Sequence, residues 1–241
     1  APGSAVDAGP APLRARADTV PMRPPGPWRQ IAHPTRAGFD AAALRAVCGR
    51  ADSLRSGALF AVWRGRVIVA CGAIDREYRA HSVRKSLVSG LYGTAVARGE
   101  VELGATIGEL GIAEDGGLTT AEREATVRNL LTARSGVYLP SAYAPESQER
   151  ERPERGSHPP GTHWFYNNWD FNVAGVVYER ATGEGIFASF GRRIAGPLGM
   201  EDWSPEDGFR AYEPTKSRHP AHLFRISARD LARFGQLYLQ R

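Results

Sequence analysis

The chain has 241 residues, of which 42% are hydrophobic and 24% charged, as in an ordinary soluble globular domain with a substantial core. No apolar run approaches the roughly 20 residues of a membrane-spanning helix, and the composition excludes collagen-like, disordered and disulfide-scaffold proteins. The net charge is +5, but the 31 basic residues are interleaved with 26 acidic ones, so we expect no nucleic-acid partner. Only Lys85 and Lys216 are lysines, so a lysine within a chemical motif is a specific signal.

The first segment, residues 1–36, is rich in Pro, Ala, Gly and Arg, and we interpret it as an N-terminal arm because prolines interrupt helices and central strands. Residues 37–241 are predicted to form one domain, with a helical region over about residues 100–205. An initiator Met and a signal segment are both missing. We therefore expect an exported protein, periplasmic or secreted, in its mature form, although a trimmed cytoplasmic protein would look the same.

Hydrophobic periodicity predicts the main elements of the domain. In chain order these are a helix over 40–54, a β-hairpin with runs 58–63 and 67–71 around a Gly turn, a buried helix over 83–98, a solvated loop over 147–155, and a helix from about 169 that ends at Gly183. Both hairpin runs are almost continuously apolar, so we expect both faces of the hairpin to be covered.

The two cysteines fall in different predicted elements, Cys48 in the first helix and Cys71 in the second hairpin run. Two buried thiols are the favoured interpretation. The alternative is a disulfide between helix and strand, which requires an oxidising compartment.

The sharpest local feature is Ser82-Val83-Arg84-Lys85 at the start of the predicted buried helix. Residues three apart share a helix face, so the serine hydroxyl and the lysine amine can meet across one turn. A desolvated, neutral lysine can act as the base that a serine nucleophile needs. The alternative is a serine that caps the helix beside a solvated lysine.

A second motif, Tyr166-Asn167-Asn168, precedes the helix that contains Trp169. A tyrosine beside a lysine can share or transfer a proton, and Asn168 can orient the lysine or a substrate carbonyl. The alternative for Asn168 is the N-cap of the following helix.

With these two motifs, the chain from roughly Phe39 to Arg241 resembles the serine hydrolases of the penicillin-recognising superfamily on the class C β-lactamase side. That group includes D-alanyl-D-alanine carboxypeptidases and β-lactamase-like esterases. Residues 126–136, 160–168, 197–200 and 227–233 resemble further landmarks of the family in the same order. The resemblance implies an α+β fold of β-lactamase/transpeptidase type, with an antiparallel sheet flanked by helices and a large helical region.

The resemblance also implies a mechanism. Ser82 attacks an ester, amide or lactam carbonyl to form an acyl-enzyme, Lys85 and Tyr166 transfer the proton, and Asn168 positions the substrate. The backbone N–H of Ser82 supplies half of an oxyanion hole. The substrate is then a small molecule or a short peptide, and neither a metal nor an organic cofactor is implied.

The family pattern breaks near the C-terminus, where the third motif on a strand is missing. Residues 215–217 have the wrong residue order and lie between Pro214 and Pro220, so we interpret them as a loop. Only the N-terminal hairpin is visible as sheet, and a lone hairpin is marginal in water. We therefore expect this chain to be the N-terminal portion of a longer enzyme, with the missing C-terminal strands supplied by a second polypeptide, such as one released by cleavage after Arg241.

The other candidate residues carry weaker signals. Trp164 and Tyr138 are candidates for the wall of an acyl pocket, with core packing as the alternative. For His81, which precedes the candidate nucleophile, packing or hydrogen bonding is favoured over lining the site. Four further histidines lack the neighbouring Cys or carboxylate ligands of a zinc site; they are His158, His163, His219 and His222. The competing function is a non-catalytic, penicillin-binding-protein-like module that binds a peptide or a partner.

Overall fold

The computed structural model describes residues 26–239. Its helices are α1 (Ala41–Ser53), α2 (Arg84–Ala97), α3 (Thr120–Arg123), α4 (Val127–Leu131), α5 (Glu146–Glu151), α6 (Asn168–Thr182), α7 (Ile186–Phe190), α8 (Gly196–Leu198) and α9 (Ala228–Leu239). Its strands are β1 (Ala58–Trp63), β2 (Arg66–Gly72), β3 (Tyr78–Arg79), β4 (Gly208–Glu213) and β5 (Ser217–Ile226). No helix within residues 26–239 is long and apolar enough to cross a membrane.

The predicted N-terminal hairpin is confirmed. β1 and β2 pair antiparallel, and Arg64 and Gly65 take the positive φ angles of a tight turn, 48° and 72°. The expected cover on both faces is incomplete, because β1 is only half-buried along its length and only Val67 and Val69 of β2 are fully buried. Among residues 26–239, the outer edge of β1 has no strand partner. Residues 29–31 of the predicted arm run beside the outer edge of β2 through backbone hydrogen bonds to Val67.

Cys48 and Cys71 form a disulfide, with Cα atoms 5.6 Å apart, so the favoured interpretation of two free thiols is wrong. The bond ties α1 to β2, as in the helix–strand alternative. Sequence cannot distinguish the two cases, because a free thiol and a half-cystine occupy the same kind of apolar segment.

A second sheet, with strand order β3–β5–β4, corrects the expectation that the N-terminal hairpin is the visible sheet. Residues 215 and 216 lie in the turn of the β4–β5 hairpin, in agreement with the predicted loop, whereas Ser217 begins β5. Pro220 is accommodated where the β4–β5 register shifts, between Ala211 and Glu213. No hydrophobic pattern in the sequence marks β5, because two of its buried side chains are the histidines His219 and His222.

The buried carboxylate of Glu114 fastens this second sheet to the helical region. It accepts hydrogen bonds from Trp169 Nε1 (2.8 Å), Ser217 Oγ (2.5 Å) and the backbone N–H groups of Arg218 (3.0 Å) and Asp115 (2.9 Å). These donors lower the pKa of Glu114 against the opposing effect of burial, so the group is an anion that stabilises the junction of β5 with α6.

The centre of the core is built on α2 and α6, the two long helices that periodicity predicts. Leu87 and Leu91 of α2 and Trp169 of α6 are fully buried. The Tyr92 hydroxyl donates a hydrogen bond to the backbone oxygen of Ala174 at 2.7 Å and so joins the two helices. The predicted solvated loop over 147–155 instead contains α5.

Candidate active site

Ser82 and Lys85 lie at the junction between the second sheet and the buried helix. Strand β3 pairs with β5, the Ala80 N–H donates to Phe224 O at 2.9 Å, and a 3-10 turn over His81–Val83 then leads into α2. Ser82 is exposed in that turn, whereas Lys85 is half-buried in the first turn of the helix. The predicted contact is present, since Lys85 Nζ lies 3.3 Å from Ser82 Oγ.

The surroundings of Lys85 favour its neutral form. Burial, followed by the positive charge of Arg84, lowers the pKa of Lys85 to about 7. Its amine lies 4.5 Å from the ring centre of Tyr166 and 5.1 Å from that of Phe171. A lysine that is half neutral near pH 7 can accept a proton from a serine hydroxyl.

Arg84 is a site residue that the sequence analysis did not single out. It is only 1% exposed and donates to Asn172 Oδ1 at 3.1 Å and to the backbone oxygen of His222 at 3.4 Å. Within residues 26–239 it forms no ion pair with a carboxylate. Burial lowers the pKa of Arg84 to about 10, which leaves it a cation beside Lys85 at neutral pH.

The Tyr166 motif lies at the start of α6, with its ring against the Lys85 amine. The N-cap of the helix is Asn167, whose Oδ1 accepts from the Trp169 N–H at 3.1 Å, rather than Asn168. Asn168 instead donates from Nδ2 to the backbone oxygen of Tyr143 at 2.6 Å. Its Oδ1 is buried and has no hydrogen-bond partner among the described residues, so it retains an acceptor for another group.

Gln148 of α5 fixes this motif by hydrogen bonds to the backbone of Tyr166 and Asn168. Its Nε2 donates to the backbone oxygen of Tyr166, and its Oε1 accepts from the Asn168 N–H at 3.1 Å. Gln148 is buried although both sequence neighbours are exposed or half-exposed charged or polar residues. One buried glutamine in a charged segment gives no periodic signal, which explains why the sequence analysis missed it.

The two predicted pocket-wall residues occupy different environments. Tyr138 is 4% exposed and packs edge-on against the rings of His158 and Phe165, with centroid distances of 6.1 and 5.9 Å. Trp164 is 55% exposed. Neither side chain hydrogen-bonds to Ser82 or Lys85 within the described part of the chain, so their role in a pocket stays a prediction.

His81 is exposed, and its Nδ1 lies 2.8 Å from the Tyr143 hydroxyl. His158 and His163 pack edge-on against each other with ring centroids 4.1 Å apart, whereas His219 and His222 have separate environments. His219 Nε2 lies 2.8 Å from Ala113 O, and His222 Nε2 lies 3.5 Å from Glu179 Oε2. Residues 26–239 contain no group of three or more side chains that could hold a metal ion.

Comparisons with known proteins place this geometry in a family. The Beta-lactamase family model matches residues 44–241, which include Ser82, Lys85 and the Tyr166 motif. Among solved structures, FmtA from Staphylococcus aureus has a TM-score of 0.63 at 12% identity and covers 90% of this chain and 68% of that one. The octameric penicillin-binding protein homologue from Pyrococcus abyssi has a TM-score of 0.59 at 17% identity, with 84% and 57% covered.

A class C β-lactamase mutant gives a TM-score of 0.58 at 15% identity, with 83% of this chain and 66% of that one covered. No curated protein matches the chain. The chain spans about half the length of several matching structures, for example 52% of SurE, which has a TM-score of 0.56 at 18% identity with 80% of this chain covered. The predicted resemblance and fold class are confirmed: the chain belongs to the Beta-lactamase family and has a β-lactamase/transpeptidase-like fold.

Proposed function

We propose that this protein is a serine hydrolase that cleaves an ester or amide bond through an acyl-enzyme on Ser82. One observation carries the proposal, namely the 3.3 Å contact between Ser82 Oγ and a Lys85 amine whose pKa is lowered to about 7. Ser82 is exposed, so a substrate can reach its hydroxyl, and Lys85 is half-buried, so its amine is partly desolvated. A serine nucleophile needs an accessible hydroxyl and a base that is neutral.

The proposed reaction has two stages. Neutral Lys85 accepts the Ser82 hydroxyl proton as Oγ bonds to the substrate carbonyl carbon. The tetrahedral intermediate then expels the leaving group, which receives that proton through Lys85 and Tyr166. Water attacks the resulting ester and its proton passes to the same base. The bond to Oγ then breaks as the base returns that proton to Oγ, which releases the acid and restores the serine hydroxyl. The Ser82 N–H lies at the amino end of α2, where backbone N–H groups lack helical partners and favour developing negative charge.

A fluorophosphonate probe tests the nucleophile directly, because Ser82 Oγ displaces fluoride from phosphorus to form a stable adduct. We expect wild-type protein to be labelled and Ser82→Ala to be unlabelled. Ser86, exposed on the same helix, provides the matched control, since Ser86→Ala should label normally. Absent labelling of Ser82 in the wild type, together with tight binding of a peptide or protein, would favour the non-catalytic binding module instead.

The base is tested by a second pair of variants at the two lysines. Lys85→Met should abolish labelling without unfolding the protein. Lys216→Met removes an ion pair with Glu213 (2.7 Å) on the surface and should leave labelling unchanged. Labelling of Lys85→Met at the wild-type rate would contradict the assignment of Lys85 as the base.

The bond type is open among ester, amide and lactam, as is the choice between small molecules and short D-amino-acid peptides. A 4-nitrophenyl ester and a fluorescent penicillin separate these classes. Rapid turnover of the ester, with only slow acylation by the penicillin, would favour an esterase. Turnover of the penicillin would favour a β-lactamase.

We also propose that further strands pair with the outer edge of β1. The open edge and half-burial of this apolar strand support the proposal, as does the greater length of the matching structures. Intact mass and gel filtration test it. A stable, active monomer of 26.2 kDa with nothing co-purifying would contradict it.

Finally, we propose that the protein is exported to an oxidising compartment. The Cys48–Cys71 disulfide supports this localisation, because such bonds persist in the periplasm and outside the cell but are rare in the cytosol. Thiol alkylation of protein taken directly from its cells provides the test. Full alkylation of both cysteines without reductant would contradict the proposal.

A further inference from the structure

His81 and Tyr143 form a hydrogen-bonded pair beside the nucleophile. His81 directly precedes Ser82, and its Nδ1 lies 2.8 Å from the Tyr143 hydroxyl. The two rings are stacked at an interplanar angle of 15° with centroids 6.3 Å apart. His81 is exposed and Tyr143 is half-buried, so a ligand can reach this pair at the surface of the site.

Both residues of the pair have a left-handed backbone conformation. The φ angles are +43° at His81 and +63° at Tyr143, and only five non-glycine residues between 26 and 239 have positive φ. Such conformations are strained and persist where surrounding contacts enforce them, commonly at active sites and ligand clamps. Two of them meeting in one hydrogen bond next to Ser82 indicates a geometry imposed for a purpose other than stability.

The main chain of Tyr143 is held on both sides by the site. Its N–H donates to Glu213 Oε1 at 2.7 Å, and its carbonyl accepts from Asn168 Nδ2 at 2.6 Å. The backbone from which the tyrosine ring projects is therefore fixed by β4 and by the Tyr166 motif. A preorganised side chain loses little conformational entropy when it binds a ligand.

The chemistry of the pair leaves one hydrogen available for a ligand. When His81 donates from Nδ1, the Tyr143 oxygen acts as acceptor and its own O–H is free to donate elsewhere. An imidazole in this position therefore orients the phenol as a donor that points away from the histidine. Among the described residues, no other partner of the Tyr143 hydroxyl competes for that hydrogen.

We propose that Tyr143 binds the substrate by donating a hydrogen bond from its hydroxyl to an oxygen acceptor in the acyl part, with His81 as the residue that positions it. This inference rests on the proposed hydrolase function. The proposed function assigns proton transfer to the leaving group to Lys85 and Tyr166. We therefore assign the His81–Tyr143 pair to the other half of the substrate, the acyl part. Preferred substrates then carry a carbonyl or similar oxygen a few bonds from the scissile carbonyl.

Two matched esters test the proposal. 4-Nitrophenyl levulinate carries a ketone where 4-nitrophenyl pentanoate carries a methylene, so their kcat/KM ratio isolates the acceptor. We expect Tyr143→Phe to lower this ratio about ten-fold, the size of one lost hydrogen bond. His81→Ala should lower it as well. His81→Asn should restore it, because asparagine tolerates positive φ and its amide donates from nearly the position of Nδ1.

The controls separate this inference from the proposed function. Fluorophosphonate labelling of wild-type Ser82 needs no acyl acceptor and tests the hydrolase proposal by itself, so absence of that labelling would overturn the hydrolase proposal. The affinity of both esters for Ser82→Ala protein, measured by calorimetry, needs no acylation and tests the contact independently. An unchanged ester ratio or affinity ratio in Tyr143→Phe, equal losses for both esters, or binding of neither ester would overturn the inference.

Discussion

The two sheets of the molecule are stabilised in opposite ways. The β1–β2 hairpin is half-buried, carries an open edge and is linked to α1 by a covalent bond. The β3–β5–β4 sheet is fastened to the helical region by the buried carboxylate of Glu114, and most of β5 is buried. Only the second sheet leads directly into Ser82. We infer that the second sheet positions Ser82 and Lys85, the proposed nucleophile and base, whereas the first contributes stability with little effect on the proposed chemistry.

The largest expected effect comes from removing the polar anchor of the second sheet. Glu114→Ala leaves several buried donors without an acceptor, so we expect a loss of about 4 kcal/mol in the free energy of unfolding. Because β5 carries β3 and the serine turn, fluorophosphonate labelling should fall as well. Urea unfolding and labelling rates provide the measurements. Glu114→Gln, which keeps the size and one acceptor oxygen, should lose less of both.

Removing the covalent link of the first sheet should affect stability alone. The disulfide closes a loop with a sequence separation of 23, so Cys48→Ser with Cys71→Ser should lower the free energy of unfolding by about 3 kcal/mol. The folded variant should label at Ser82 at the wild-type rate. If the fully folded double variant labelled much more slowly than the wild type, the inference that the first sheet has little effect on the chemistry would be wrong.

A smaller effect is expected at the support of the Tyr166 motif. Gln148→Leu removes the donor to Tyr166 O and the acceptor for Asn168 N–H, so the motif loses its fixed position. We expect a loss of about 1–2 kcal/mol in stability and a roughly ten-fold slower labelling rate. Glu149→Ala on the same helix is the control and should change neither quantity appreciably. Equal behaviour of the two variants would show that Gln148 has no positioning role.

The pH dependence of labelling should be the mildest effect, with no change in structure. Since the pKa of Lys85 is lowered to about 7, the neutral base becomes about ten-fold more abundant from pH 6 to pH 8, and the labelling rate should rise accordingly. A labelling rate that begins to rise only near pH 10 would contradict the lowered pKa of Lys85.

Stability should respond to the same group. The unfolded chain binds the Lys85 proton up to its ordinary pKa of 10.5, whereas the folded protein releases it near 7. Stability from this group therefore increases as pH rises between those values and is lowest below pH 7. The difference in unfolding free energy between wild type and Lys85→Met, measured at several pH values, isolates this contribution from other titrating groups.

Strong local patterns made part of this molecule predictable. The buried helix that begins at Arg84, the N-terminal hairpin and the Ser82–Lys85 contact all follow from spacing along one element or one turn. The β4–β5 hairpin did not, because β5 buries two histidines and contains Pro220, so neither alternation nor propensity marks it.

The residues that surround the motifs were missed for a different reason. Arg84 looks like an ordinary surface arginine until its burial is known, and Gln148 lies in a charged segment. Tyr143 contacts His81 across a sequence separation of 62 residues. Each of these roles depends on pairing between distant segments, which periodicity and short motifs do not encode.

The open edge of β1 has a consequence for handling the isolated chain. Within the described residues 26–239, one edge of Ala58–Trp63 has no strand partner, on an apolar strand without proline or charge, and such an edge is a template for strands of other molecules. Preparations of this chain alone should therefore associate increasingly with concentration.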